Sequence, residues 1–145
     1  FTANQGRQKL QLRQAYEKEQ QKDLRGRVLV VDDSITTRTM EKNILEANRY
    51  EVVVAVSGFA ALEKLETARF DLMVSDVARP GMTGCELTKK IRQREDSRDM
   101  PVIIVSSLAS DEDRRQGMEA GAQAYIVKGN FQQGILLETV ETLIS

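Results

Sequence analysis

One stretch constrains the chain more than any other: Arg27-Val28-Leu29-Val30-Val31-Asp32-Asp33-Ser34. Its four successive β-favouring side chains leave no polar face, so the strand they form must be covered on both sides. That is the environment of a parallel sheet, where crossover helices lie on both faces. The run ends in two adjacent carboxylates, and a second run, Phe70-Asp71-Leu72-Met73-Val74-Ser75-Asp76, ends in another. In open parallel sheets, ligands collect beyond the carboxyl ends of the strands. If the two strands are neighbours, Asp32, Asp33 and Asp76 meet at one edge, where their mutual repulsion requires a cation.

From Arg27 onward the hydrophobic period alternates between strand and helix. Ser34 caps a predicted helix running to about Asn48, with Met40, Ile44 and Leu45 on one face. Glu51–Val56 reads as a second strand and Ser57-Gly58 as its turn. Phe59, Leu62 and Leu65 mark a short helix, and Phe70–Asp76 is the third strand. Pro80-Gly81 punctuates a loop, and Gly84 precedes a helix containing Leu87 and Ile91. Pro101 opens the fourth strand, Val102–Ser106, at a position where a missing N–H is tolerated. Asp111–Ala120 reads as a helix that Gly121 ends, Ala124–Lys128 as the fifth strand, and the last helix carries Ile135, Leu136, Val140, Leu143 and Ile144. Five strands alternating with five helices predict a flavodoxin-like, doubly wound α/β domain, with strand order 2-1-3-4-5 and helices on both faces. Its switch point falls between the first and third strands.

Residues 27–145 are therefore expected to form the domain. Residues 1–26 read as a helical or flexible linker extension, with Leu10, Leu12, Tyr16 and Leu24 as their sizeable apolar side chains. The spacing of these residues does not sustain the heptads of a coiled coil. Six Lys/Arg against three acids give the extension a charge of +3. With −1 overall, the remainder carries −4, which argues against nucleic acid as the principal partner. The single Cys85 leaves no internal disulfide and suits a reducing, cytoplasmic setting. No apolar run is long enough to span a membrane. The sequence contains no histidine, which excludes Ser-His-Asp or Cys-His catalysis, imidazole metal ligation and phosphohistidine within it.

The expected strand ends carry a specific set of groups. Strand one supplies Asp32 and Asp33, strand three Asp76, strand four Ser106 and strand five Lys128. Oxygen-only ligation suits Mg²⁺, with Ser106 and Lys128 as donors to an incoming phosphoryl group. A carboxylate is itself a competent nucleophile and gives an acyl phosphate. Asp32 and Asp33 open a turn into a helix and read as ion ligands. Asp76 stands alone on the central strand and reads as the nucleophile. Taken singly, each residue has a plainer explanation: a turn cap, a loop hydroxyl, a surface lysine. Convergence at successive strand ends is what caps alone do not require.

Val30-Val31-Asp32-Asp33-Ser34, Ser75-Asp76-Val77, Pro80-Gly81-Met82-Thr83-Gly84, Val105-Ser106-Ser107 and Tyr125-Ile126-Val127-Lys128-Gly129 together resemble the receiver domain of two-component response regulators. The resemblance runs from about Arg27 to the C-terminus. Asp33-Ser34-Ile35-Thr36-Thr37-Arg38 and Lys128-Gly129-Asn130-Phe131 look like receivers at the C-terminal end of chemotaxis-type hybrid histidine kinases. The resemblance implies that Asp76 accepts a phosphoryl group from a kinase phosphohistidine, inside or outside the same parent chain. It implies that Asp32, Asp33, Asp76 and the backbone carbonyl of Ala78 hold Mg²⁺. It also implies that Ser106 shifts toward the phosphoryl group while Tyr125 swings inward as an aromatic switch. Output to a downstream protein then passes through the fourth helix, fifth strand and last helix. Such a domain catalyses its own phosphorylation and dephosphorylation without being a turnover enzyme, even where it is a fragment of a kinase.

Arg79, Cys85 and Gly129 depart from the usual family residues, and the proline that often follows the lysine is absent. Arg79 is expected to point to solvent. Ala78 and Leu108, two residues past Asp76 and Ser106, carry no group able to orient an attacking water, so slow self-dephosphorylation is expected. A pseudo-receiver used only for docking is the alternative, opposed by the intact acid cluster. An aspartate-dependent phosphohydrolase would want an acid where Ala78 stands, and the Asp-Asp-Ser turn lacks the glycines of a nucleotide site. With no DNA-reading segment after Ser145, output by protein contact or back onto its own kinase is expected.

Overall fold

The computed structural model describes residues 24–77, 81–128 and 133–144. The expectations for most of the linker, for Ala78 and Arg79, and for Gly129 lie outside these residues. Five strands, β1 (Gly26–Val31), β2 (Tyr50–Ala55), β3 (Leu72–Asp76), β4 (Val102–Ser106) and β5 (Ala124–Val127), pair in parallel in the order β2-β1-β3-β4-β5. Five helices connect or follow them: α1 (Ile35–Glu46), α2 (Gly58–Thr67), α3 (Gly84–Arg92), α4 (Asp111–Glu119) and α5 (Gln133–Ile144). No helix among the described residues is long and apolar enough to cross a membrane.

The apolar runs behave as their composition demands. Val28, Leu29, Val30 and Val31 are all fully buried, alternating between two cores. Leu29 and Val31 face a layer with Ala61 and Leu65 of α2 and Leu87 and Ile91 of α3. Val28 and Val30 face Leu45 of α1 and Leu136 and Val140 of α5. Parallel register carries this alternation across the sheet, with Val30 opposite Val54 and Val74, and Val74 opposite Ile103.

Polar side chains fix where the elements begin. Ser34, Ser57, Thr83 and Ser110 each cap a helix, accepting a hydrogen bond from the main-chain N–H three residues on. The third strand starts at Leu72 and not at Phe70. Asp71 instead turns its carboxylate onto the main-chain N–H of Arg27 at 2.8 Å, tying the start of β3 to β1. The second strand begins one residue early, with buried Tyr50, and Val56 lies exposed beyond its end. Gly121, with φ +112°, follows α4 as its spacing predicts. Below it, Arg92 donates to the Gly121 carbonyl at 2.8 Å and to Gln123 Oε1, which also accepts from Val102 N–H. One guanidinium thus pins the ends of α3 and α4 to the start of β4.

Helix α1 departs from its expected face. Leu45 is buried, but Met40 and Ile44 are half-buried and line an open apolar groove with Ile35 and Leu137. The residue that goes inward one turn before Leu45 is Glu41, only 2% exposed. Burial pushes its carboxyl up to about 8; the charge of Asp32 adds to the rise, Lys128 opposes it and Asp76 adds further. The folded protein therefore keeps this proton over a range in which the unfolded chain has released it. Stability from this group is complete at low pH and is lost as pH rises through the folded value. In chelator-containing buffer, Glu41→Gln should stabilise the domain by roughly 3 kcal/mol near pH 7 and by nothing near pH 4. Urea unfolding across that range measures the difference, and a gain independent of pH would contradict the assignment.

Candidate functional site

The two acidic strands are neighbours, as β1 pairs with β3. Asp32 follows β1, Asp76 ends β3, Ser106 ends β4, and Lys128 immediately follows β5. One oxygen from each of Asp32, Asp33 and Asp76 lies within 4.8 Å of the others. Asp32 and Asp76 are buried and Asp33 is exposed, so the cluster opens to solvent on the Asp33 side. Lys128 Nζ stands 3.6 Å from Asp32 Oδ2. The lysine's ion pair thus spans from the end of β5 past β4 and β3 to the residue that follows β1.

Local bonds hold Asp32 in place. Its Oδ1 accepts from the Ser34 main-chain N–H at 2.8 Å, and its carbonyl accepts from Arg38 Nη1 at 2.9 Å. Its Oδ2 is buried and receives no hydrogen bond among the described residues. Lys128 offers this oxygen charge at 3.6 Å but no hydrogen bond, and a lone pair left unmet in such a place carries a desolvation penalty that a closer cation relieves. Oxygen donors, an orphaned carboxylate atom and an open side fit a hard divalent ion such as Mg²⁺, which keeps several waters. Ala78, whose carbonyl was expected to join the set, lies outside the described residues.

Asp76 is brought to this place by a close approach of backbone. Gly84 donates its N–H to the Val77 carbonyl at 3.0 Å, closing the loop onto the start of α3. A Cβ at residue 84 would lie 1.9 Å from the Asp76 carbonyl oxygen. No side chain fits there, so glycine is what allows α3 to begin against the end of β3. The sequence marks Gly84 only as preceding a helix; its role appears once β3 and α3 are seen together.

Ser106 and Tyr125 are linked through one residue. Ser106 Oγ accepts from Leu108 N–H at 3.0 Å, and Tyr125 Oη donates to the Leu108 carbonyl at 2.8 Å. The ring is 8% exposed, more buried than packing on a half-buried strand would make it. The structure thus brings together Asp32, Asp33, Asp76 and Lys128, and connects Ser106 to Tyr125. Glu41 is the neighbour that the sequence reading missed; its i, i+4 spacing to Leu45 was the available signal.

Comparison with known proteins agrees with this geometry. The chain is 39% identical over 119 residues to a gliding motility regulatory protein of Myxococcus xanthus; the match covers 82% of this chain and 15% of that relative's length. It is 33% identical over 118 residues to the chemotaxis protein CheY of Pseudomonas aeruginosa, covering 81% of this chain and 94% of that one. The structure of Vibrio cholerae CheY4 superposes with a TM-score of 0.76 at 38% identity, covering 81% of this chain and 97% of that one. The receiver domain of a Pseudomonas aeruginosa sensor histidine kinase, with a magnesium ion coordinated in its active site cleft, gives 0.75 at 27% identity, with coverage of 82% and 97%. Residues 28–141 match the family model for the response regulator receiver domain, and with that match the chain belongs to the receiver domains of two-component signalling.

Proposed function

We propose that this chain takes a phosphoryl group onto Asp76 from a histidine kinase and passes the signal on by changing its protein contacts. Receiver domains work in general with histidine kinases and downstream targets. The observation that carries the assignment is the convergence of Asp32, Asp33 and Asp76 within 4.8 Å, with Lys128 beside them. Asp32, Asp33 and Asp76, with the Ala78 carbonyl, would hold Mg²⁺, which when bound neutralises charge on the phosphoryl oxygens. Asp76 is the nucleophile: its carboxylate oxygen forms a bond to phosphorus as the phosphorus–nitrogen bond of the phosphohistidine breaks. The electron pair of that bond returns to the imidazole nitrogen of the donor. Lys128 meets the transferred group as a cation and Ser106 as a hydroxyl donor. The new charge at Asp76 then draws Ser106, and with it the Leu108–Tyr125 linkage, into the second state of the switch.

The resemblance of residues 33–38 and 128–131 supports a place at the C-terminal end of a chemotaxis-type hybrid kinase. A cytoplasmic setting fits the single, unpaired Cys85.

Label should pass from a phosphorylated kinase to the wild-type domain with Mg²⁺, and neither to Asp76→Asn nor to wild type in chelator. Transfer to the Asn variant would place the phosphoacceptor elsewhere. Gly84→Ala should destabilise the domain by about 1–3 kcal/mol or more, because the added carbon is forced against the β3 backbone, and should slow transfer at least about tenfold in the fraction that stays folded. Stopped-flow or gel transfer rates, beside circular dichroism, test this. Once formed, the acyl phosphate should decay slowly, since neither residue 78 nor residue 108 positions water. A lifetime of only seconds for the isolated phosphodomain would overturn that expectation.

A further inference from the structure

Helix α4 is held unlike the other helices. Its cap is sound, with Ser110 accepting from Asp113 N–H at 3.1 Å, and three acids occupy its first turn. Nine residues are nevertheless too few for a helix to persist on propensity alone, so packing must hold it. Its one buried residue is Gly117, which offers no side chain to the core. A Cβ at residue 117 would meet Tyr125 Cδ2 at 2.9 Å, Cε2 at 3.2 Å and Ile104 Cδ1 at 3.3 Å. The tyrosine ring therefore lies directly against the α4 backbone. One turn earlier, the Arg114 guanidinium stands over the same ring, 5.7 Å from its centroid.

We propose that Gly117 is a positioning residue for the switch: its missing side chain forms the seat that accepts the inward Tyr125 ring, and Arg114 closes over it. This rests on the receiver reading and adds to it the element that sets the balance between the two ring positions. The seat couples three parts. Tyr125 Oη donates to the Leu108 carbonyl, and the Leu108 N–H donates to Ser106 Oγ, so the ring, the loop and the hydroxyl that ends β4, the strand next to Asp76's, form one connected unit. If the ring leaves, a void opens between Gly117 and Ile104 that glycine has no atoms to fill. Helix α4 must then settle inward or loosen. The size of residue 117 thus decides both where the ring rests and how α4 sits.

The contact is with an aromatic ring carbon, not the tip of a flexible chain, so even one methyl group displaces it. Gly117→Ala should increase the solvent exposure of Tyr125, read by ¹⁹F NMR of the 3-fluorotyrosine-labelled protein with signals assigned by Tyr→Phe substitutions. It should also weaken binding of beryllofluoride with Mg²⁺ about fivefold or more, the lower end of ordinary coupling between sites. In an exposed helix the same substitution stabilises by about 1 kcal/mol, so helix propensity alone predicts the opposite sign. The cycle with Tyr125→Ala separates the two. Gly117→Ala should lower the melting temperature in the wild-type background and raise it, or leave it unchanged, once the ring is gone. Should Gly117→Ala alone fail to fold, refolding of the Gly117→Ala/Tyr125→Ala pair supports the seat. Equal effects in both backgrounds, or unchanged Tyr125 exposure in a folded Gly117→Ala variant, overturn it. If wild type does not bind beryllofluoride, the receiver reading fails, while the exposure and stability cycle still judges the seat.

Discussion

Like charges held together at one edge of a sheet are the constraint on which this molecule depends. Oxygens of three carboxylates lie within 4.8 Å of one another, a repulsion of roughly 3 kcal/mol per ionised pair at an effective dielectric near 20. Such a cluster persists because the chain gives it no room to spread. Asp76 is part of a strand whose residues are all buried, and Asp32 follows one packed on both faces. Ser34 N–H, Arg38 and Lys128 supply partial compensation, and the orphaned Asp32 Oδ2 shows that it is incomplete. The remaining imbalance is what a divalent ion held there would relieve.

Glu41 sharpens this point. A fourth acid buried behind the cluster would add to the repulsion if it were ionised, and burial keeps its proton on. Coulombic contact with Asp32 and Asp76 on one side and Lys128 on the other makes it sensitive to any charge placed in the site. The acidic edge therefore extends one layer deeper than the residues that face solvent.

The sheet was legible in the sequence because strands covered on both faces cannot alternate in polarity. Val28–Val31 and Val102–Val105 therefore announced themselves, and the strand order matches the flavodoxin-like order expected for such an alternating chain. The site was legible because its members stand where those strands stop. Helix faces were harder to read. On α1, Met40 and Ile44 look like core by hydropathy, yet the protein places Glu41 inward and leaves them lining a groove. Gly84 and Gly117 were seen only as residues without side chains. What each makes room for comes from another element, β3 in one case and β5 in the other, and local pattern holds no record of that.

A rigid site needs a part that yields if charge placed in it is to be felt elsewhere. Helix α2 sinks Ala61 and Leu65, α3 sinks Leu87 and Ile91, and α5 sinks Leu136 and Val140, so each loses several kilocalories of burial if displaced. Helix α4 buries only Gly117, against Tyr125 and Ile104, and its Arg114 and Arg115 are exposed. Displacing it sacrifices little burial. The hydrogen-bonded link from Ser106 at the end of β4 through Leu108 to Tyr125 ends against this weakly held helix. A shift of Ser106 driven by charge at Asp76, as proposed, would therefore be felt most where attachment is thinnest, with the firm packing of the other helices keeping it from dissipating through the rest of the fold.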